Sequence, residues 1–160
     1  VDACTGSGAL AMALARARPD ALVMATDRDR RAVACARANG VDARLGDLLA
    51  PVPAARRGRV DVVVAVVPYV PTAALALLPA DTLRFEDPAH YDGGPDGTDL
   101  LRRLAAEAWP VLRPGGALLV ELGGSQDRVL GPALARLGYE DIETWRDEDG
   151  DLRGLEAVRP

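Results

Sequence analysis

The stretch Val1-Asp2-Ala3-Cys4-Thr5-Gly6-Ser7-Gly8-Ala9-Leu10 decides the fold. A short strand tail leads through two glycines directly into helical sequence, Ala9 to Arg18. Glycine has no Cβ, so Gly6 and Gly8 let the chain turn sharply from strand to helix and approach a ligand closely. The N–H groups at the helix start lack intrahelical partners and face whatever sits there. Such a turn serves a nucleotide-like cofactor, but small Gly-Ser turns also simply connect strands to helices, so the residues downstream have to decide.

A second apolar run, Ala21 to Thr26, ends in Asp27. That is about 20 residues beyond the glycines, where an acid that accepts hydrogen bonds from ribose hydroxyls is expected. Asp27 or Asp29 also fits the N-cap of a helix over Arg30 to Asn39, so two roles stand open for Asp27.

Further along, the pattern predicts a strand tail 1–4, helix 8–18, strand 21–26, helix 29–39, and strands 42–45 and 60–67. An irregular span 68–95 follows, then helix 97–109, strand 116–122, helix 125–137 and closing strands near 140–146 and 152–158. Helices alternating with apolar strands predict an α/β fold, a doubly wound and mostly parallel sheet covered on both faces. The closing pair is joined through Asp147-Glu148-Asp149-Gly150-Asp151, a hairpin-like connection that makes the last strand antiparallel. Strand 60–67 stops at Pro68-Tyr69-Val70-Pro71, leaving Tyr69 at its carboxyl end, where open α/β sheets bind ligands.

At 160 residues and 49% hydrophobic, the chain suits one domain with a real core. A net charge of -5 argues against a broad nucleic-acid footprint, which needs a basic face. All 19 basic residues are arginine, a bias read as codon usage and not as chemistry. Cys4, Cys35 and the single His90 support neither a disulfide framework nor a metal site nor a Cys/His or Ser/His/Asp constellation. No apolar run reaches membrane-spanning length, and the expected compartment is the cytoplasm. Glu86, Asp92 and Asp96 read first as turn chemistry, Glu121 and Gln126 as structural residues of a strand-to-helix turn, and Arg102 and Arg103 as solvated helix faces.

Taken in order, the motifs resemble a known family. They are Asp2-Ala3-Cys4-Thr5-Gly6-Ser7-Gly8, Asp27 with the helix end at Asn39, Gly46-Asp47-Leu48, and Val66-Val67-Pro68-Tyr69-Val70-Pro71. Arg84-Phe85-Glu86, Asp92-Gly93-Gly94-Pro95-Asp96-Gly97, Leu112 to Glu121 with Gln126, and Gly138-Tyr139 through Arg153 complete the set. The chain is similar to class I S-adenosylmethionine-dependent methyltransferases, and within them to the protein N5-glutamine methyltransferases that modify peptide-chain release factors. The resemblance implies S-adenosylmethionine as cofactor, with Asp2, Cys4, Thr5, Gly6, Ser7 and Gly8 around its methionine end, Asp27 on the ribose, and Asp47 and Leu48 flanking the adenine. It implies a protein substrate, no membrane partner and no metal.

The family's Asn-Pro-Pro-Tyr tetrapeptide falls on Val66, Val67, Pro68 and Tyr69. The resemblance implies that this segment orients the acceptor amide, with the tyrosine packed on the amide plane. Val66 replaces the asparagine and has no hydrogen-bonding side chain. A single preorganised polar contact of this kind is worth about 3 kcal/mol, so transfer is expected to be impaired. The family also carries a helical substrate domain ahead of the catalytic one, and none precedes Val1, so the sequence reads as a fragment or a reduced member with its first strand cut short. The 68–95 span is expected to be a mobile lid at the methyl end. Two alternatives accompany this reading: an N6-adenine nucleic-acid methyltransferase and a non-catalytic cofactor-binding domain.

Overall fold

The computed structural model describes residues 1–160 except 80, 81, 83, 85 and 86. Glu86 therefore lies outside the described residues.

Seven strands form one sheet: β1 (Asp2–Ala3), β2 (Ala25–Asp27), β3 (Ala43–Leu45), β4 (Val60–Ala65), β5 (Leu112–Glu121), β6 (Glu140–Arg146) and β7 (Leu152–Arg159). Their order is β3-β2-β1-β4-β5-β7-β6. The pairs among β1 to β5 are parallel, while β7 runs antiparallel to both β5 and β6. This is the mostly parallel sheet with an antiparallel closing strand that the sequence pattern predicts. Among the described residues, helices α1 (Ala9–Ala17), α2 (Arg30–Ala38), α3 (Asp99–Ala108) and α4 (Asp127–Leu137) cover the sheet.

Alternation between Met24 and Ala25, where β2 begins, shows how the sheet is wound twice. Met24 faces a core shared with Leu101, Leu104, Leu130 and Leu134 of α3 and α4, whereas Ala25 faces Ala11 of α1 and Val33 and Ala36 of α2. Successive strand residues point to opposite faces, so adjacent residues serve different cores. Helix α3 buries Leu101, Leu104, Ala105 and Ala108, the i, i+3, i+4, i+7 stripe of a helix lying on one layer. On the α1 side the helices stop short of β4. There Val62 and Val66 are exposed, and a hollow of about 440 Å³ opens between Leu10, Val64, Leu119 and Trp145.

Two elements differ from the sequence pattern. The strand expected over 21–26 pairs only over Ala25–Asp27; β1 stands opposite Ala25 and Thr26 alone, and Leu22 is 69% exposed. β5 starts at Leu112 and not at 116, because Leu112 already pairs with Val60; the next partners are Val62 and Ala117, so the Arg113-Pro114-Gly115-Gly116 turn is a bulge within the strand. Inside the 68–95 span, 3₁₀ turns cover Thr72–Leu77 and Pro88–His90. The span's two ends are tied together, with Val70 N–H donating to the Tyr91 carbonyl and Gly93 N–H to the Val70 carbonyl, each at 2.8 Å.

Candidate active site

The glycine turn is held from below by Asp2. Its carboxylate is 2% exposed and accepts from the Thr5 hydroxyl at 2.5 Å and from the Ala11 N–H at 3.1 Å. Thr5 N–H reaches the Thr26 carbonyl at 3.1 Å, fastening the turn to β2. Burial pushes the Asp2 carboxyl above the ordinary range, opposed by those two donors.

The two glycines have different reasons to be glycine. A Cβ on Gly8 would lie 2.8 Å from Val41 Cγ2 and 3.1 Å from Ala36 Cβ, so Gly8 lets the turn close onto α2. A Cβ on Gly6 would meet nothing within 4 Å, and Gly6 faces open space with φ +57°. Cys4 shares that left-handed backbone at φ 57°. Its thiol is pushed up to about 12, by burial first and by the Asp27 carboxylate next. Asn39, at the end of α2, donates from Nδ2 to the Ser7 carbonyl at 3.0 Å and pins the turn from outside.

The structure separates the two roles open to Asp27. Helix capping belongs to Asp29, whose side chain accepts from the Arg31 N–H at 2.8 Å. Asp27 turns toward the glycines: Oδ2 accepts from the Gly6 N–H and Oδ1 from the Asp29 N–H, both at 2.9 Å. Each carboxylate oxygen offers two lone pairs, so both retain capacity for a ligand hydroxyl.

A hollow of about 200 Å³ opens over this group, lined by Cys4, Gly6, Asp27, Arg28, Asp29, Ala32, Val66, Pro68 and His90. The sequence-predicted residues that meet around it are thus Cys4, Gly6, Asp27, Val66 and Pro68. Asp2 and Thr5 act from underneath, Ser7 is exposed, and Gly8 is spent on packing. Asp47 and Leu48 lie beside the end of β2, where Gly46 N–H donates to the Asp27 carbonyl at 2.9 Å and the Thr26 hydroxyl to the Leu48 carbonyl at 2.7 Å, but neither lines the hollow. The Leu48 side chain belongs to the core. Asp47 is paired with Arg103 at 2.6 Å, so Arg103 is more than a solvated face; Arg102 likewise pairs with Asp96 at 2.7 Å. Sequence reasoning missed Arg28 and His90, although His90 falls in the span read as facing the methyl end. The Arg28 guanidinium reaches the Ala89 carbonyl at 3.3 Å and brings the 88–90 turn to the rim.

At that rim the end of β4 presents Val66, 47% exposed, while Val67 points into the core. Tyr69 Oη donates to Glu121 Oε1 at 2.6 Å. Burial and that carboxylate push the phenol up to about 12, so Tyr69 stays a neutral donor. Asp92 and Asp96 are turn acids as read, accepting from the Thr72 hydroxyl and Gly94 N–H and from the Thr98 hydroxyl and N–H respectively. Those bonds hold both carboxyls below the ordinary range. Among the described residues no group of three or more His, Cys, Asp or Glu side chains is arranged for a metal.

A glycine turn and an acid at the ends of neighbouring parallel strands, in a seven-stranded sheet closed by an antiparallel hairpin, define a class I S-adenosylmethionine-dependent methyltransferase fold. Among solved structures, the E. cuniculi Mtq2–Trm112 complex responsible for methylation of the eRF1 termination factor shares this fold at a TM-score of 0.65 and 24% identity, over 99% of this chain and 83% of that one. No family model matches the sequence. Curated relatives are closer: the release factor glutamine methyltransferase of Moorella thermoacetica is 45% identical over 167 residues, covering 99% of this chain and 58% of that protein. The ribosomal protein uL3 glutamine methyltransferase of Burkholderia pseudomallei is 40% identical over 141 residues, 81% of this chain and 46% of that protein. The chain is similar to these protein glutamine methyltransferases over most of its own length, and it spans about half the length of these two relatives.

Proposed function

We propose that the chain is the catalytic part of an S-adenosylmethionine-dependent enzyme that methylates the side-chain nitrogen of a glutamine in a peptide-chain release factor. The observation that carries the reading is the meeting of two segments at one hollow, which Gly6 and Asp27 line together with Val66 and Pro68. The residues fit the cofactor. A Cβ-free face opens at Gly6, and the Asp27 carboxylate is already oriented by two backbone N–H groups. When bound, S-adenosylmethionine supplies an electrophilic methyl group on a sulfonium.

The chain's own residues supply binding and placement. Asp27 accepts the ribose hydroxyls, and Gly6 lets the backbone lie against the ligand. Asp47 and Leu48, beside the end of β2 but outside the hollow, would flank the adenine only at its edge. The acceptor amide nitrogen is a weak nucleophile because its lone pair is shared with the carbonyl, so rate depends on holding it in line. The Val66 and Val67 carbonyls receive its N–H groups, and Tyr69 supports the amide plane. Neither Tyr69 nor Cys4 withdraws a proton at neutral pH, since both are held in their protonated forms.

The partner is a protein, and the compartment follows it to the cytoplasm; among the described residues no helix is long and apolar enough to cross a membrane. Val66, apolar where the family has asparagine, favours a second reading as a domain that binds cofactor without transferring the methyl. Incubation with tritiated S-adenosylmethionine and, separately, a release factor, duplex DNA or no acceptor decides between them. Label in the release factor alone is expected. Label in DNA, or in no acceptor while cofactor still binds, overturns the proposal.

A further inference from the structure

One carboxamide in the chain joins three segments that are distant in sequence. Gln126 stands at the N-cap of α4 and is 7% exposed. Its Nε2 donates to the Tyr69 carbonyl at 2.6 Å and to the Gly97 carbonyl at 3.2 Å, while its Oε1 accepts from the Gly123 N–H at 3.0 Å. The partners fix the orientation of the amide, since two carbonyls require the NH₂ end and an N–H requires the oxygen. No other side chain offers two donors and an acceptor in one plane at this length. The 93–97 segment closes onto the same point: a Cβ on Gly93 would lie 2.8 Å from Tyr69 Cα, and one on Gly97 would collide with the Tyr69 carbonyl oxygen and Gln126 Nε2. Glu121, at the end of β5, takes the other end of the same residue through the Tyr69 hydroxyl.

We propose that Gln126 is a positioning residue for methyl transfer: it fixes the Tyr69 carbonyl, and so sets where the Val66–Tyr69 segment meets the acceptor amide. This rests on the reading of that segment as the acceptor site. A displacement of about 1 Å in a near-attack arrangement costs roughly a hundredfold in rate, so a hold on the backbone next to the acceptor is a hold on the rate. Gln126 does not line the cofactor hollow. Its loss therefore acts on transfer and leaves cofactor binding in place.

Gln126→Glu tests this with little change in volume. As a carboxylate it sets lone pairs against two carbonyls, and as a carboxylic acid it regains one donor. The expected result at pH 8 is a fall in kcat of about ten- to a hundredfold on the release factor, with the Kd for S-adenosylhomocysteine changed less than about threefold. The ratio of variant to parent kcat should rise as pH is lowered toward 6. Hydrogen exchange at the Val70 and Gly93 amides should quicken at pH 8, while amides of β4 and β5 keep their protection. A pH-independent ratio, equal losses in kcat and cofactor affinity, or unchanged exchange at Val70 and Gly93 overturns the proposal. If the parent itself transfers no methyl, the proposed function falls. The exchange comparison, repeated in Gln126→Ala, then judges the clamp alone: local quickening upholds it, and unchanged or uniformly faster exchange overturns it.

Discussion

Replacing Asp27 by alanine should separate cofactor binding from folding. In the free protein the change orphans two donors, the Gly6 and Asp29 N–H groups, each 2.9 Å from a carboxylate oxygen. Both sit beside an open hollow, so water replaces the carboxylate and the stability loss stays near 1–2 kcal/mol. The bound state loses more. Two ribose hydroxyls donating to a charged acceptor are worth about 1.5 kcal/mol each at the low end for charged partners, suited to a half-exposed site. The sum of about 3 kcal/mol is somewhat over a hundredfold in Kd. Asp27→Asn keeps one acceptor oxygen without the charge and should lose about tenfold. Calorimetric titration with S-adenosylhomocysteine measures all three proteins, and a thermal melt of each reports folding. A folded Asp27→Ala protein that binds within threefold of the parent would refute the assignment of this carboxylate to the ribose.

Val66→Asn restores a side-chain acceptor at the rim and should raise methyl transfer to a release factor by about tenfold to a thousandfold with cofactor Kd nearly unchanged, read as tritium incorporation beside a binding titration. Gly8→Ala should cost about 2 kcal/mol or more in urea unfolding, because φ 86° strains alanine and its Cβ would press on Val41 and Ala36, whereas Gly6→Ala, with open space at its Cβ, should cost less stability and more cofactor affinity. Cys35 is exposed, whereas the Cys4 thiol is pushed up to about 12 from an ordinary value of 9.0. Only the thiolate reacts with Ellman's reagent, so at pH 8 Cys4 should react at least about tenfold more slowly than an ordinary thiol and gain rate as pH rises toward about 12. One thiol should titrate rapidly in the native protein and two in urea; two fast thiols in the native protein would contradict the raised Cys4 thiol.

Much of this protein is written locally in its sequence. The stripe of Leu101, Leu104, Ala105 and Ala108 identifies α3 by period alone, because the residues that share a helix face are three and four apart in the chain. Asp27 is legible for the same kind of reason: a glycine turn followed by a strand-ending acid is a short-range spacing that the strand–helix–strand unit imposes. The stop at Pro68 and the antiparallel ending at Gly150 are likewise properties of a few consecutive residues. Boundaries were less legible. Strand pairing, and not apolar character, sets where β2 and β5 begin, and the partner strands lie far off in sequence.

The tertiary structure alone decided which residues share the site. Tyr69 meets Glu121 and Gln126 across 52 and 57 residues, Asp47 meets Arg103 across 56, and His90 reaches the hollow through a turn tied to Arg28 across 61. No local spacing encodes these pairs, because they follow from the strand order β3-β2-β1-β4-β5-β7-β6 and from β4 lying between β1 and β5. The sequence determined the parts: a glycine turn, an acid, a proline-ended strand and an amphipathic helix. Parallel pairing of β1 with β2 and β4 brought the carboxyl ends of those strands together, and that is what turned separate motifs into one hollow lined by both Asp27 and Val66.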